Sequence, residues 1–198
     1  MIMTPPNDTR TRCSWPGEDP LYVAYHDDEW GRLTTSDEEL FGKLCLEGFQ
    51  SGLAWITILR KRENFRRAFA GFDIDAVAAF GEGDVERLVG DAGIVRHRRK
   101  IQSAINNATR AREIRDEFGS LFGFFRQYAE VGSGPRSRAD IQAVTTGSTA
   151  MATELKRRGF SWVGPTTSYA FMQAMGLVND HLPECFARGE CEALRGAL

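Results

Sequence analysis

The sequence predicts an all-α protein, and three observations predict it. Apolar residues recur at helical spacing through most of the chain, capping signals stand ahead of those runs, and no stretch alternates as a strand would. There is also no internal repeat and no low-complexity run.

The elements follow in order. Ser36, with Glu39 three residues on, has capping-box spacing and opens a helix that runs to about Gln50. On it Leu40, Leu44 and Glu47 stand at i, i+4 and i+7 and share one face, so Glu47 lies on an otherwise apolar stripe. A second helix is expected over about residues 53–70, with Ile56, Leu59 and Phe69 inward, and a short one over 74–80. Asp84 serves as N-cap for residues 85–91, which stop at Gly93. A longer basic helix follows over about 96–117 and another over 121–128. Residues 129–148, with their Gly, Pro, Ser and Thr, are the clearest loop or hinge. Ser148 or Thr149 caps the next helix, which stops at Lys156-Arg-Arg-Gly159, and residues 166–176 form a last core helix leading to His181.

A length of 198 residues fits one domain or two small interlocked ones, with a core that needs no staples. Apolar residues at 42% and charged ones at 26% exclude a disordered chain. No apolar run approaches the ~18 residues of a membrane span, and no membrane partner is expected. Residues 1–11 are polar, hold Pro5 and Pro6, and read as a flexible tail without a signal-peptide core. Four scattered cysteines are no disulfide framework, so a reducing cytoplasm is expected, where metal binding is favoured over disulfides.

The net charge is only −2, but it is unevenly spread. Residues 18–39 hold eight acids and one base, whereas 60–67 hold five bases and one acid. Arg96, Arg98, Arg99, Lys100, Arg110, Arg112 and Arg115 cluster further on. A basic face can meet a phosphate backbone, although a solvated helix face gives the same pattern.

Two of the four cysteines and two of the three histidines fall in two short stretches: Cys13 with His26, and His181 with Cys185. Two Cys and two His form a closed tetrahedral set suited to one structural Zn²⁺, which ties the N-terminal segment to the C-terminal one. Cysteines as small buried hydrophobes are the alternative. The neighbours Trp15, Tyr22, Tyr25 and Trp30 are aromatic, as a pocket for a flat ligand requires. Residues 88–101 read as a helix, a glycine turn at Gly90 and Gly93, and a basic helix carrying Arg96 and Arg98. Backbone N–H groups at such a helix start favour a phosphate, though an ordinary hairpin fits equally. Glu47 on its apolar face must be paired, hydrogen-bonded or facing a cleft, unless it lies at the rim and reaches solvent.

Several blocks now carry a close resemblance: Cys13-Ser-Trp15, the run from Asp19 through Tyr25-His26-Asp27 to Gly31, Cys45-Leu-Glu-Gly48, Ser51-Gly-Leu-Ala-Trp-Ile56, Lys61-Arg-Glu-Asn-Phe65, Gly93-Ile-Val-Arg-His-Arg98 and Gly176-Leu-Val-Asn-Asp-His181. Over about residues 12–185 the chain resembles the 3-methyladenine DNA glycosylase I family of bacterial alkylation-repair enzymes. The resemblance implies a helix-hairpin-helix glycosylase fold over residues 12–187, with a short C-terminal tail over 188–198. It implies Zn²⁺ on Cys13, His26, His181 and Cys185. It implies Glu47, Tyr25 and Trp55 around the base, with Trp15 and Tyr22 close by, and Gly90, Gly93, Arg96 and Arg98 on DNA. Arg99, where some members have glycine, and the divergent stretches 129–148 and beyond Cys185 are departures.

The reaction implied is monofunctional hydrolysis that releases 3-methyladenine from alkylated double-stranded DNA after base flipping. The enzyme is expected as a cytoplasmic monomer acting on the bacterial nucleoid, with Glu47 as the acid that selects the cationic base. Lys43, Lys61 and Lys100 lack an evident partner that would lower a lysine pKa, so lyase chemistry is not expected. Glu113 and Asp116, on the helix after the hairpin, are rival acids. Glu47→Ala and Trp55→Ala are expected to weaken excision without unfolding the chain. A zinc-stabilised DNA-binding module without catalysis and a glycosylase for another base are the alternatives.

Overall fold

The computed structural model describes residues 9–132 and 134–198. Among them are helices α1 (Pro20–Asp28), α2 (Asp37–Gln50), α3 (Trp55–Ala68), α4 (Ile74–Ala78), α5 (Glu82–Gly90), α6 (Arg98–Phe118), α7 (Leu121–Phe125), α8 (Thr146–Arg157), α9 (Pro165–Ala174) and α10 (Ala187–Leu194), and no strand. The all-α expectation holds.

Helix α2 is the axis of the fold. Ser36 caps it, its Oγ accepting the Glu39 N–H at 3.2 Å, while the Glu39 carboxylate takes the Thr34 hydroxyl instead of closing a capping box. α2 packs against α3, α6, α7 and α9, and all of residues 40–49 are buried. A helix enclosed on every side must satisfy its polar side chains internally, and on α2 these are Lys43 and Glu47. Around it Phe41, Phe49, Phe65, Phe69, Phe124, Phe125 and Phe171 are fully buried, each contributing roughly 1.5–3 kcal/mol by burial.

Several boundaries differ from expectation for identifiable reasons. α5 begins at Glu82 behind Gly81, and Asp84 is not the cap but sits a turn inside, accepting the Gly81 N–H at 3.1 Å. α6 begins at Arg98, with His97 Nδ1 accepting the Lys100 N–H at 3.3 Å. α8 is capped by Thr145, and Ser148 is its reciprocal partner, at 3.1 and 2.8 Å. In α3, which starts at Trp55, Ile58 is fully buried whereas Ile56 is only partly so.

The stretch after Cys185, expected to be a tail, contains α10: Ala187 and Cys191, four apart, pack onto Cys13 and Cys185, and Arg195 is buried. At the other end, residues 1–8 of the expected tail lie outside the described residues, and the Thr11 carbonyl accepts the Phe186 N–H at 3.0 Å. The two ends of the chain therefore meet. Gly31, after α1, allows a separate close approach to the C-terminal segment: it has φ +83°, and a Cβ there would stand 2.9 Å from His181 Nε2.

Candidate active site and metal centre

Cys13 from the N-terminal loop, His26 from α1, and His181 and Cys185 from the α9–α10 connection converge. Their ligand atoms lie within 4.8 Å of one another and all four residues are buried. Cys185 Sγ is 3.4 Å from both His26 Nε2 and His181 Nδ1, and Cys13 Sγ is 3.8 Å from His181 Nδ1. Ligands in a tetrahedron at zinc-like bond lengths stand roughly 3.3–3.8 Å apart, so the donor set fits a metal ion.

The outward nitrogens of both imidazoles are also engaged. His26 Nδ1 meets Asp27 Oδ1 at 2.8 Å and His181 Nε2 meets the Trp30 carbonyl at 3.1 Å, which leaves the other nitrogens facing the sulfurs. Burial pushes Asp27 up, but hydrogen bonds from Arg12 and His26 outweigh it and hold the carboxyl below its usual range. Of the two coupled thiols Cys185 is driven toward thiolate, first by the hydrogen bond from Cys13 and then by the imidazoles. Thiolate is the form that ligates metal.

Aromatic rings join this centre to a cavity of about 370 Å³. Trp15 packs edge-on against His26 at 5.3 Å, Tyr22 at 5.0 Å and Trp30 at 5.0 Å, and Tyr25 lies 5.4 Å from Trp55. All five residues expected around a flat ligand, Glu47, Tyr25, Trp55, Trp15 and Tyr22, line this one cavity. Glu47 is only 5% exposed, so its place is the pocket wall and not a solvated rim. Tyr25 is held protonated by burial and by the nearby Glu47 charge. The indole N–H groups of Trp15 and Trp55 are buried and have no acceptor among the described residues.

The sequence reading missed several lining residues. Gln50 lies three residues beyond Glu47 on α2, so helical spacing could have found it. Arg138 and Ile141 come from the irregular 129–148 stretch, where no periodicity marks an inward residue. Gln173 lines the wall from α9 and donates to Asp180 at 2.8 Å, and Asp180 also accepts from the Tyr169 hydroxyl. Glu113 and Asp116 are exposed and line no part of the cavity, and Glu113 pairs with Arg110.

Lys43 was also misread. It is buried, and that burial lowers its pKa even though Glu47 Oε1, at 2.8 Å, pulls the other way. Burial likewise lowers Lys100, whose Nζ donates to the carbonyls of Phe49 and Ser51 at 2.9 and 2.6 Å.

Those Lys100 bonds fasten the hairpin of α5 and α6 to the end of the helix that carries Glu47. From the other side Lys61 Nζ reaches the Ala92 and Gly93 carbonyls at 3.0 and 3.2 Å, and Asn64 Nδ2 reaches that of Gly93 at 3.1 Å. A Cβ on Gly93 would stand 2.9 Å from Asp91 Oδ1 and 3.1 Å from Asn64, so a larger residue there would have to displace those side chains. Gly90 is exposed at the end of α5. Arg96 and Arg99 are exposed and make no ion pair among the described residues, whereas Arg98 is paired with Glu82 and Glu86. Leu53, 42% exposed, projects from the turn between Gln50 and Trp55.

A helical scaffold with an acid-bearing aromatic slot and an arginine-bearing hairpin has the chemistry to hold a flat heterocycle and a polyanion. The comparisons specify it further. The sequence model of the methyladenine glycosylase family matches residues 15–188, and the chain belongs to that family. It is 50% identical over 179 residues to DNA-3-methyladenine glycosylase 1 of Escherichia coli (strain K12), covering 88% of this chain and 95% of that one. It is 39% identical to DNA-3-methyladenine glycosylase of Haemophilus influenzae, covering 88% and 96%. Among solved structures, one describing 3-methyladenine recognition by 3-methyladenine DNA glycosylase I from Staphylococcus aureus superposes with a TM-score of 0.85. It is 33% identical and the match covers 89% of this chain and 96% of that one.

Proposed function

We propose that the chain is a monofunctional DNA N-glycosylase of base-excision repair that hydrolyses the glycosidic bond of 3-methyladenine in alkylated duplex DNA. The observation that carries this reading is the buried Glu47 carboxylate on a cavity walled by Trp15, Tyr22, Tyr25 and Trp55. The target base is flipped out of the stack into that cavity. Methylation at N3 makes it a cation and a good leaving group, so the site has to select and hold it. The aromatic faces attract the cation, and Glu47 accepts a hydrogen bond from the exocyclic amine. Normal adenine lacks the charge and gains less, which is discrimination by differential binding.

In this reading Cys13, His26, His181 and Cys185 hold one structural Zn²⁺. With four protein ligands the ion supplies stability and no open coordination position. DNA is held at the hairpin by backbone groups around Gly90 and Gly93 and by Arg96 and Arg99, with Arg98 joining once it leaves Glu82 and Glu86. Leu53 fills the gap left by the flipped base, as apolar wedges do. Lys43, engaged by Glu47 and Tyr25, offers no free amine for imine chemistry. The protein works as a cytoplasmic monomer, and among the described residues no helix is long and apolar enough to cross a membrane.

The test is chromatography of free base released from methylated duplex DNA, with borohydride trapping in parallel. Release of 3-methyladenine without a trapped adduct is expected. DNA binding without release points to a non-catalytic module, and a trapped adduct to a lyase.

A further inference from the structure

Three side chains assigned above to the base pocket already serve a cation that belongs to the protein. Lys43 Nζ lies 2.8 Å from Glu47 Oε1, donates to the Tyr25 hydroxyl at 2.7 Å, and stands 3.4 Å from the centre of the Trp55 ring. The three donors of an ammonium are thereby matched to three partners. Lys43 reaches them from behind. Tyr25 and Trp55 line both the base pocket and a second cavity of about 370 Å³; Glu47 lines only the first, and Lys43 only the second. Glu29 and Arg62, which line the second cavity, pair with each other; Asp28, Arg32, Glu38, Glu39 and Arg66 also line that cavity and Arg138 lines the base pocket, but Lys43 is the cation in contact with Glu47 and with the Trp55 ring.

We propose that Lys43 is a specificity-determining residue: from behind the Tyr25–Trp55 wall it offsets the Glu47 carboxylate and limits how strongly the pocket favours a cationic base over a neutral base of the same shape. It acts through Glu47 and Trp55, and it rests on the pocket assignment made above. A ring face attracts a cation through its quadrupole, and two cations on opposite faces of one indole repel across it. The repulsion is felt because Lys43 and Glu47 are buried, where charges are screened less than in water. With Glu47 Oε1 committed to Lys43, the remaining carboxylate oxygen selects by hydrogen bonding and fit more than by net charge.

The experiment measures inhibition of excision by two free ligands of one shape. One is 3,9-dimethyladeninium, a fixed cation; the other is its neutral 3-deaza counterpart with the methyl group in the same place. Wild type is compared with Lys43→Met, Lys43→Gln and Lys43→Arg. Preference for the cation is expected to rise about tenfold in Lys43→Met, the scale of one screened charge contact. It should rise likewise in Lys43→Gln, which keeps a hydrogen-bond donor and removes only the charge, so the test survives poor folding of the Met variant. Lys43→Arg should stay near wild type. An unchanged preference in a folded Met or Gln variant overturns the proposal and leaves the pocket reading standing. Failure of both ligands to inhibit wild type overturns the pocket reading and the proposal with it.

Discussion

The Cys13–His26–His181–Cys185 cluster and the Lys43–Glu47 pair are both buried and polar, and they lie at two ends of one chain of rings. From His26 it passes through Trp15 and Tyr25 to Trp55, where Lys43 closes it. The first is closed: its donors face one another, and each imidazole's remaining nitrogen is held by Asp27 or by the Trp30 carbonyl. The second is open on one side, because Glu47 faces a cavity large enough for a heterocycle. A closed set of donors spends its interactions on the fold, and an open one keeps an interaction for a ligand.

The comparison breaks first at the closed centre. Cys185→Ala should release the metal and lower the melting temperature by about 10 °C or more, at ~2–4 °C per kcal/mol for a domain of this size. Metal analysis and calorimetry on the same sample check it, and full metal content with an unmoved transition would show that the cluster is not what ties the chain ends together.

The next effect concerns the open pair. Glu47→Ala leaves an ammonium buried without its partner, so a loss of stability should accompany the weakened excision expected of this variant, in a chain that still folds. A cost approaching ~3–5 kcal/mol in urea unfolding is expected. Glu47→Gln with Lys43→Met removes both charges together and should recover most of that stability.

A smaller effect belongs to Asp27, which orients His26. Asp27→Asn should weaken metal affinity by roughly 10–100-fold, measured by competition with a chelator. Its folded pKa is lowered, so the stability it contributes is fully present above the ordinary value of 3.8 and is lost as pH falls through the lower folded value. In an acid titration the wild-type advantage over Asp27→Asn should therefore shrink at low pH. The smallest effect distinguishes the hairpin arginines: Arg96→Ala should lower the salt slope of DNA binding by about one, and Arg98→Ala by less, since Arg98 already has two glutamates.

The closed centre was legible in the sequence because few residue types ligate metals and this chain concentrates them: His26 and His181 are two of only three histidines. The aromatic pocket was legible through Glu47, whose place on an apolar stripe demanded an explanation. Lys43 was not. A lysine among acids reads as solvated, and only the enclosure of α2 on every side shows that it is buried. Helix α10 was missed because its apolar face is two small residues, Ala187 and Cys191, that gain meaning only against Cys13 and Cys185. Arg138 and Ile141 were missed because an irregular segment carries no period.

The most direct test of the division between a closed structural cluster and an open chemical one is single-turnover release of 3-methyladenine by the Glu47→Gln, Lys43→Met double variant, with its melting temperature taken alongside. The account predicts a transition close to wild type and excision reduced on the order of 10²-fold, the scale of losing one charged contact from a buried group. Wild-type excision from the double variant would contradict it, because the base would then be recognised without the one carboxylate that the fold buries in the pocket.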